Sequence, residues 1–543
     1  MSSPRSSLLV LVICLLALAA EPARALEKWL YCPTNLLVDK NVDALEALWR
    51  RAAAAGYTRV LLADSKFNRL GEMDARYFRN VERVKKIAAE LKIEIVPALF
   101  SIGYSNDLLS RDPNLVEGLP VKDVPLVVEG GIARLDDPDP PTLPGGDFSD
   151  LKKWTWKDEF IVADKGAARI SEAGGKNARL VQKLKLKPWR QYHVSVWIKT
   201  QDFHGEPMIK ALPAQEGARS LQWTNLDVEP TQDWKEHHAV FNSLEYPDVA
   251  LYLGVWGAGP GSLWWRDAKI EEVAFLNMTR RAGTPLVVKT AGGKVLEEGR
   301  DFEPLSDPLL GRTPYAGEYD TWHQPPQLHT KLPEGAKLLV SYFHAATIYE
   351  HQATICLSEP KTDELLRDQA RRMQAAWNAK SYMMSHDEMR VADWCDACQA
   401  RHLTPGQLLA DNMKRCVEIM RETAPAAHLY VWNDMFDPHH NAVPGPYYLV
   451  NGPLTGSWEG LPREVTIMQW NFGHRVESLQ FFANRSHAQV IAGYYDAPPE
   501  KIRDWLEAAK AVPESVQGVM YTTWKHDYSQ LEKFSTLIDE AAR

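Results

Sequence analysis

Ser385-His386-Asp387-Glu388 sets two carboxylates side by side directly after the apolar run Tyr382-Met383-Met384. Adjacent acids at a strand end point in different directions. Each raises the other's pKa, so one can act as a general acid while the other carries charge. That is the chemistry of glycosidic bond cleavage, where a carboxyl protonates the leaving oxygen. Four more run ends carry related residues: Trp432-Asn433-Asp434, Gln469-Trp470-Asn471, Tyr494-Tyr495-Asp496 and Thr523-Trp524-Lys525-His526. Two earlier runs end near Asp64 with Lys66, and near Tyr104. Trp faces interleaved with Asp, Asn and Tyr suit a pyranose, the rings covering its C–H side and the short polar groups its hydroxyls. A solvated acidic loop would account for Asp387 and Glu388 alone. It does not account for three Trp with polar neighbours at three run ends.

Something must bring these ends together. Strand and helix signals alternate from Leu26 to about Gly118: Trp29–Cys32, Arg59–Ala63 and Ile93–Leu99 read as strands, with helices between them. Alternation resumes near Thr362 with strands at Tyr382–Ser385, His428–Trp432, Val465–Gln469, Gln489–Gly493 and Gly518–Thr522. Three strands before the interruption and five after predict an α/β chain built on a (β/α)8 TIM barrel, whose active site lies at the C-terminal strand ends. An open doubly wound sheet would require a Gly-rich phosphate loop after the first strand, and Cys32-Pro-Thr-Asn-Leu36 is not one. The stretch between has little helical periodicity and many Gly and Pro. It predicts an all-β, jelly-roll-like insert after strand three. The expected division is a leader at 1–25, the barrel's first part at 26–118, a β-sandwich at 119–280, a further β segment at 281–357 and the barrel's second part at 358–543.

The ordered set of strand ends resembles glycoside hydrolase family 20 and, more loosely, family 123, which cleave N-acetylhexosamines. The resemblance rests on Asp387-Glu388 after strand four, Trp432, Trp470 and Trp524 after strands five, six and eight, and Tyr494-Tyr495-Asp496 after strand seven. It covers the barrel, roughly half of the chain. It implies a β-N-acetylhexosaminidase using substrate-assisted catalysis. Asp387 would orient the 2-acetamido group, Glu388 would be acid and base, and Tyr494 would bond the acetamido oxygen. Asp64, Tyr104, His386, Trp432, Asp434, Trp470, Asp496 and Trp524 are the expected substrate-binding residues. Two other readings stay open: a retaining hydrolase with Asp434 or Asp496 as nucleophile, and a non-catalytic glycan-binding protein on a retired barrel. Within the insert, Gly145-Gly146-Asp147-Phe148 and Ser262 to Asp267 resemble carbohydrate-binding modules.

Composition bounds the rest. The 543 residues are 45% hydrophobic and 24% charged, with net charge −9 and no Lys/Arg run, so a saccharide and not nucleic acid is the expected partner. Arg5, the apolar run Leu8–Ala20 and Ala23-Arg24-Ala25 read as a cleaved export signal, too short to span a bilayer, and predict a periplasmic or extracellular protein. Outside that leader the cysteines are Cys32, Cys356, Cys395, Cys398 and Cys416. Cys395-x-x-Cys398 is either a disulfide or half of a metal site. The sequence has no second pair at zinc-finger spacing, so the expectation is no metal and no cofactor. Asp437, His439 and His440, with His386, are a weaker metal candidate, since His-His pairs more often sit on surface loops.

Overall fold

The computed structural model describes residues 26–541 except Glu172, Glu216 and Glu350; the leader read at 1–25 lies outside the described residues. Eight parallel strands close into a barrel: Glu27–Pro33, Arg59–Ala63, Glu94–Leu99, Ser381–Met384, His428–Trp432, Val465–Gln469, Gln489–Ala492 and Val516–Tyr521. The last pairs with the first, Glu27 opposite Gly518 through Leu30 opposite Tyr521. Side chains alternate across each strand. One set, including Trp29, Leu61, Val96, Met383, Tyr430, Trp432, Met468 and Met520, fills the lumen. The other set, such as Leu30, Leu62, Tyr382 and Val431, packs against the surrounding helices.

The helices begin where their caps dictate. Asp74 accepts from the Arg76 and Tyr77 amides ahead of Ala75–Leu91, and Thr404 with Gln407 forms a capping box ahead of Pro405–Thr423, with Pro405 at the first position. The expected α/β class and regular (β/α)8 TIM barrel must nevertheless be corrected. Helix accounts for only 25% of the chain, which is mostly β: a closed parallel barrel joined to further curled sheets. The connection from strand five to strand six holds no α-helix among the described residues; its elements are 3-10 turns at Asp434–Phe436 and Ser457–Gly460 and the two-residue strand Leu449–Val450. Asn441-Ala-Val-Pro-Gly-Pro446 and Asn451-Gly-Pro453 explain this, because Pro removes donors and Gly costs helix entropy.

The long insertion between strands three and four contains three antiparallel sheets. Its entry strand, Gly118–Glu129, pairs with its exit strand, Lys337–Ala345. With Ile132–Leu135, Met278–Thr279, Val287–Thr290 and Leu328–His329 these form one sheet around Val124, Leu126, Phe275, Val340 and Tyr342. Two five-stranded sheets enclose a separate core that includes Trp265, Phe241 and Leu253. Among the described residues no helix is long and apolar enough to cross a membrane.

Candidate active site

A cavity of about 840 Å³ opens at the C-terminal end of the barrel. Its wall is aromatic. Tyr31, Trp432, Trp470, Tyr495 and Trp524 come from five strand ends, and Tyr349 comes from the returning end of the insertion. Trp470 and Tyr495 lie parallel with ring centres 5.8 Å apart, while Trp524 is tilted at 5.0 Å from Tyr31 and 6.5 Å from Trp432. Trp524 is 45% exposed, an apolar face presented to whatever enters.

The acids stand beside this wall on the segment after strand four. Ser385 extends the ladder, its amide donating to Leu99 and its carbonyl accepting from Ile102. The Asp387 carbonyl then crosses Gly103 so closely that a Cβ there would lie 1.6 Å from the carbonyl oxygen. Only glycine permits that crossing. Glu388 has φ +48°, a left-handed conformation that costs energy for a non-glycine residue and turns its side chain into the cavity. Its amide donates to Asp434 Oδ2 at 2.8 Å, and its carbonyl accepts from Gln352 Nε2, also at 2.8 Å. Both carboxylate oxygens are held: the Tyr104 hydroxyl donates to Oε2 at 2.5 Å, and Arg390 pairs with Oε1 at 2.9 Å.

Electrostatics divides the acids. Burial, and next the charge of Glu388, push Asp387 up to about 7. Burial and the charges of Asp387 and Glu388 hold Asp434 well above the usual carboxylate range. Burial, then the Glu388 charge, keeps the Tyr104 phenol protonated and so able to donate to that residue.

The expected site residues divide in the same way. Asp387, Glu388, Tyr104, Trp432, Trp470, Trp524 and Asp64 line the cavity. The carboxylate of Asp64, however, is occupied by the Leu36 and Lys66 amides and the Tyr77 hydroxyl, which fixes the first two strand-end loops. Asp434 is fully buried, bonded to the Glu388 amide, Asn441 and the Trp470 indole, so it supports the site from behind. Asp496 accepts from Thr523, Trp524 and Lys525, and thereby shapes the loop that carries Trp524. Neither aspartate is free to attack a sugar across the cavity.

Two assignments need correction. Tyr494 points away from the cavity and stacks on Tyr521 at 4.1 Å, in the layer between barrel and helices. Strand seven ends at Ala492, so the alternation that would have aimed Tyr494 inward stops two residues earlier, and Tyr495 faces the cavity instead. His386 is fully buried on the outer side, its Nε2 3.2 Å from Asn412 of the helix Pro405–Thr423, and burial lowers its pKa to about 4. The metal candidate around Asp437 is not assembled either: Asp437 is taken by Asn433 and the His439 amide, and His440 lies edge-on to Trp470.

Tyr31, Tyr495, His526, Arg390, Gln352 and Tyr349 were not among the expected site residues. Tyr31 was detectable, because it follows Trp29 by two on strand one and so shares its inward face. Tyr349 and Gln352 leave no local signal, since they reach the barrel only through the insertion.

No family model matches the chain, and no curated protein matches it. Among solved structures, a Flavobacterium johnsoniae chitobiase is 15% identical over 36% of this chain and 34% of its own, with a TM-score of 0.24. A family 16 carbohydrate-binding module is 16% identical over 24% of this chain and 96% of its own, TM-score 0.20. The enzymatically active domain of the bacteriophage CBA120 tailspike protein 4 is 12% identical, over 24% of this chain and 21% of its own, TM-score 0.20. Likenesses this slight leave the function to be argued from the site.

Proposed function

We propose that the protein is a glycoside hydrolase that cleaves the glycosidic bond of a 2-acetamido sugar by substrate-assisted catalysis. The observation that carries this reading is the aromatic wall closing on the Asp387–Glu388 pair at the barrel mouth. Trp432 and Trp524 stack against the pyranose. Asp387 accepts the acetamido N–H, and the Tyr495 hydroxyl, facing the cavity, donates to the acetamido oxygen. That oxygen attacks the anomeric carbon as the glycosidic bond breaks, and Glu388, in the protonated form that turnover requires, gives its proton to the departing oxygen. The anionic Asp387 stabilises the oxazolinium that results. Glu388 then takes a proton from water, whose oxygen adds to the anomeric carbon and restores the acetamide with retained configuration. Tyr104 and Arg390 keep Glu388 in the cavity between the two steps.

The test is a panel of aryl glycosides that differ only at C2. Turnover of 2-acetamido substrates, with matched 2-hydroxyl sugars very poor, is the expected result. Good turnover of a plain glucoside or galactoside would overturn the acetamido mechanism. Calorimetric binding of a 2-acetamido sugar with no hydrolysis would overturn the enzyme reading in favour of a glycan-binding protein.

A further inference from the structure

We propose that Glu117, Cys356, Cys395 and Cys398 bind one structural zinc ion that clasps the insertion to the segment bearing the catalytic acids. The four donor atoms lie within 4.8 Å of one another. Cys356 Sγ is 3.5 Å from Cys395 Sγ and 3.6 Å from Cys398 Sγ, and Glu117 Oε2 is 3.6 Å from both Cys395 Sγ and Cys398 Sγ. A disulfide would need sulfurs about 2.0 Å apart. A tetrahedron with Zn–S near 2.3 Å and Zn–O near 2.0–2.2 Å has edges of about 3.5–3.8 Å. The observed spacings are those of ligands gathered around a single small ion.

Burial and orientation point the same way. Glu117 is 1% exposed and Cys356, Cys395 and Cys398 at most 1%. Thiols bury readily, but a carboxyl buried among them is costly in its charged form unless a cation or hydrogen bonds satisfy it. Glu117 Oε1 accepts from the Trp394 amide at 2.7 Å and the Cys395 amide at 2.8 Å, which turns Oε2 toward the sulfurs. Ligating carboxylates are commonly fixed by hydrogen bonds of this kind. Three thiolates and a carboxylate exceed the charge of a divalent ion by two. Arg281 lies beside Cys356 and sets a positive charge next to the thiolates, although it also pairs with Glu359 at 3.0 Å. Thiolate donors select zinc over calcium or magnesium.

The chain reaches this point from three directions. Glu117 immediately precedes the insertion's entry strand. Cys356 follows its return, with its amide bonded to Leu115. Cys395 and Cys398 flank and occupy the short helix Asp396–Gln399, downstream of Asp387, Glu388 and Arg390. The sequence holds no second close pair of cysteines to mark this site. The remaining ligands come instead from positions far apart in sequence.

The experiment uses the full chain, expressed with zinc and purified under reducing conditions. Elemental analysis should find about one zinc per chain, and X-ray absorption should show a shell of three sulfurs and one oxygen. After exchange with cobalt(II), the chain should show thiolate charge-transfer bands and the intense d–d bands of a tetrahedral ion. Cys398→Ser should lower the charge transfer by about a third, Glu117→Gln should change the d–d bands while retaining the charge transfer, and Cys416→Ala should change neither. A reduced chain that holds no zinc and takes up no cobalt would overturn the proposal, as would a first shell without sulfur. So would mass spectrometry showing a disulfide among these three cysteines in the freshly purified chain. The wild-type measurements decide the matter even if a ligand variant fails to fold.

Discussion

Asp387→Asn should make the protein more stable and nearly inactive. A carboxyl raised from 3.8 to about 7 is harder to ionise in the fold than in the unfolded chain. The shift corresponds to roughly 4 kcal/mol at 1.36 kcal/mol per unit if the group were sealed from solvent. Asp387 is only half-buried at the cavity wall, so about 2 kcal/mol is the expected penalty after screening. The sign follows from proton linkage. Below pH 3.8 both states are protonated and there is no penalty. As pH rises toward 7 the unfolded chain has lost the proton that the fold retains, so stability falls until both are ionised. Asparagine keeps the shape without the charge and removes the penalty. Unfolding free energies of the two proteins from urea denaturation should therefore differ by less at pH 5 than at pH 8, where the difference should reach about 2 kcal/mol. Turnover should fall by ~10²–10⁴-fold in the same variant. A variant less stable than wild type at pH 8, or a difference that does not change with pH, would refute the reasoning.

The proposed mechanism needs Asp387 as an anion, so the acid limb of the wild-type pH–rate profile should lie above the ordinary carboxylate range, and Glu388→Gln should move that limb lower in whatever activity remains; steady-state kinetics across pH 5–9 checks both. Glu388→Gln should itself cost ~10²–10⁴-fold in kcat with the thermal transition retained. Tyr495→Phe should reduce kcat on 2-acetamido substrates at least about tenfold while Tyr494→Phe changes it by less than about twofold, and equal effects would return the role to Tyr494. Gly103→Ala should destabilise the barrel by about 3 kcal/mol or more and abolish turnover, since its Cβ would meet the Asp387 carbonyl at 1.6 Å; calorimetry on the purified variant measures it.

The barrel strands were readable because each combines an apolar run with a polar end, and the acids and Trp at those ends could be assembled before any fold was known. Less was readable about overall class. Apolar periodicity marks a strand–helix alternation, but it does not weigh the chain's large share of antiparallel sheet, and it does not show that Asn441–Pro446 replaces a helix with turns. Tyr494 and Tyr495 could not be told apart from the sequence, since their directions depend on where strand seven stops. Gln352, at the insertion's return, donates to the Glu388 carbonyl and accepts from Arg390, and no local pattern encodes those contacts.

The position of the insertion also affects how the barrel can be made. Strand three finds its fourth-strand neighbours, Ala98 with Met383 and Leu99 with Met384, only after roughly 280 further residues have emerged, about 15–60 s at ~5–20 residues per second. Throughout that interval the nascent three-stranded sheet has the open edge Glu94–Leu99, a template for pairing with other chains. Gly118–Glu129 and Lys337–Ala345 pair with each other in the fold, so they hold the two cut ends of the barrel close together. The insertion thereby converts a distant strand pairing into a short-loop closure.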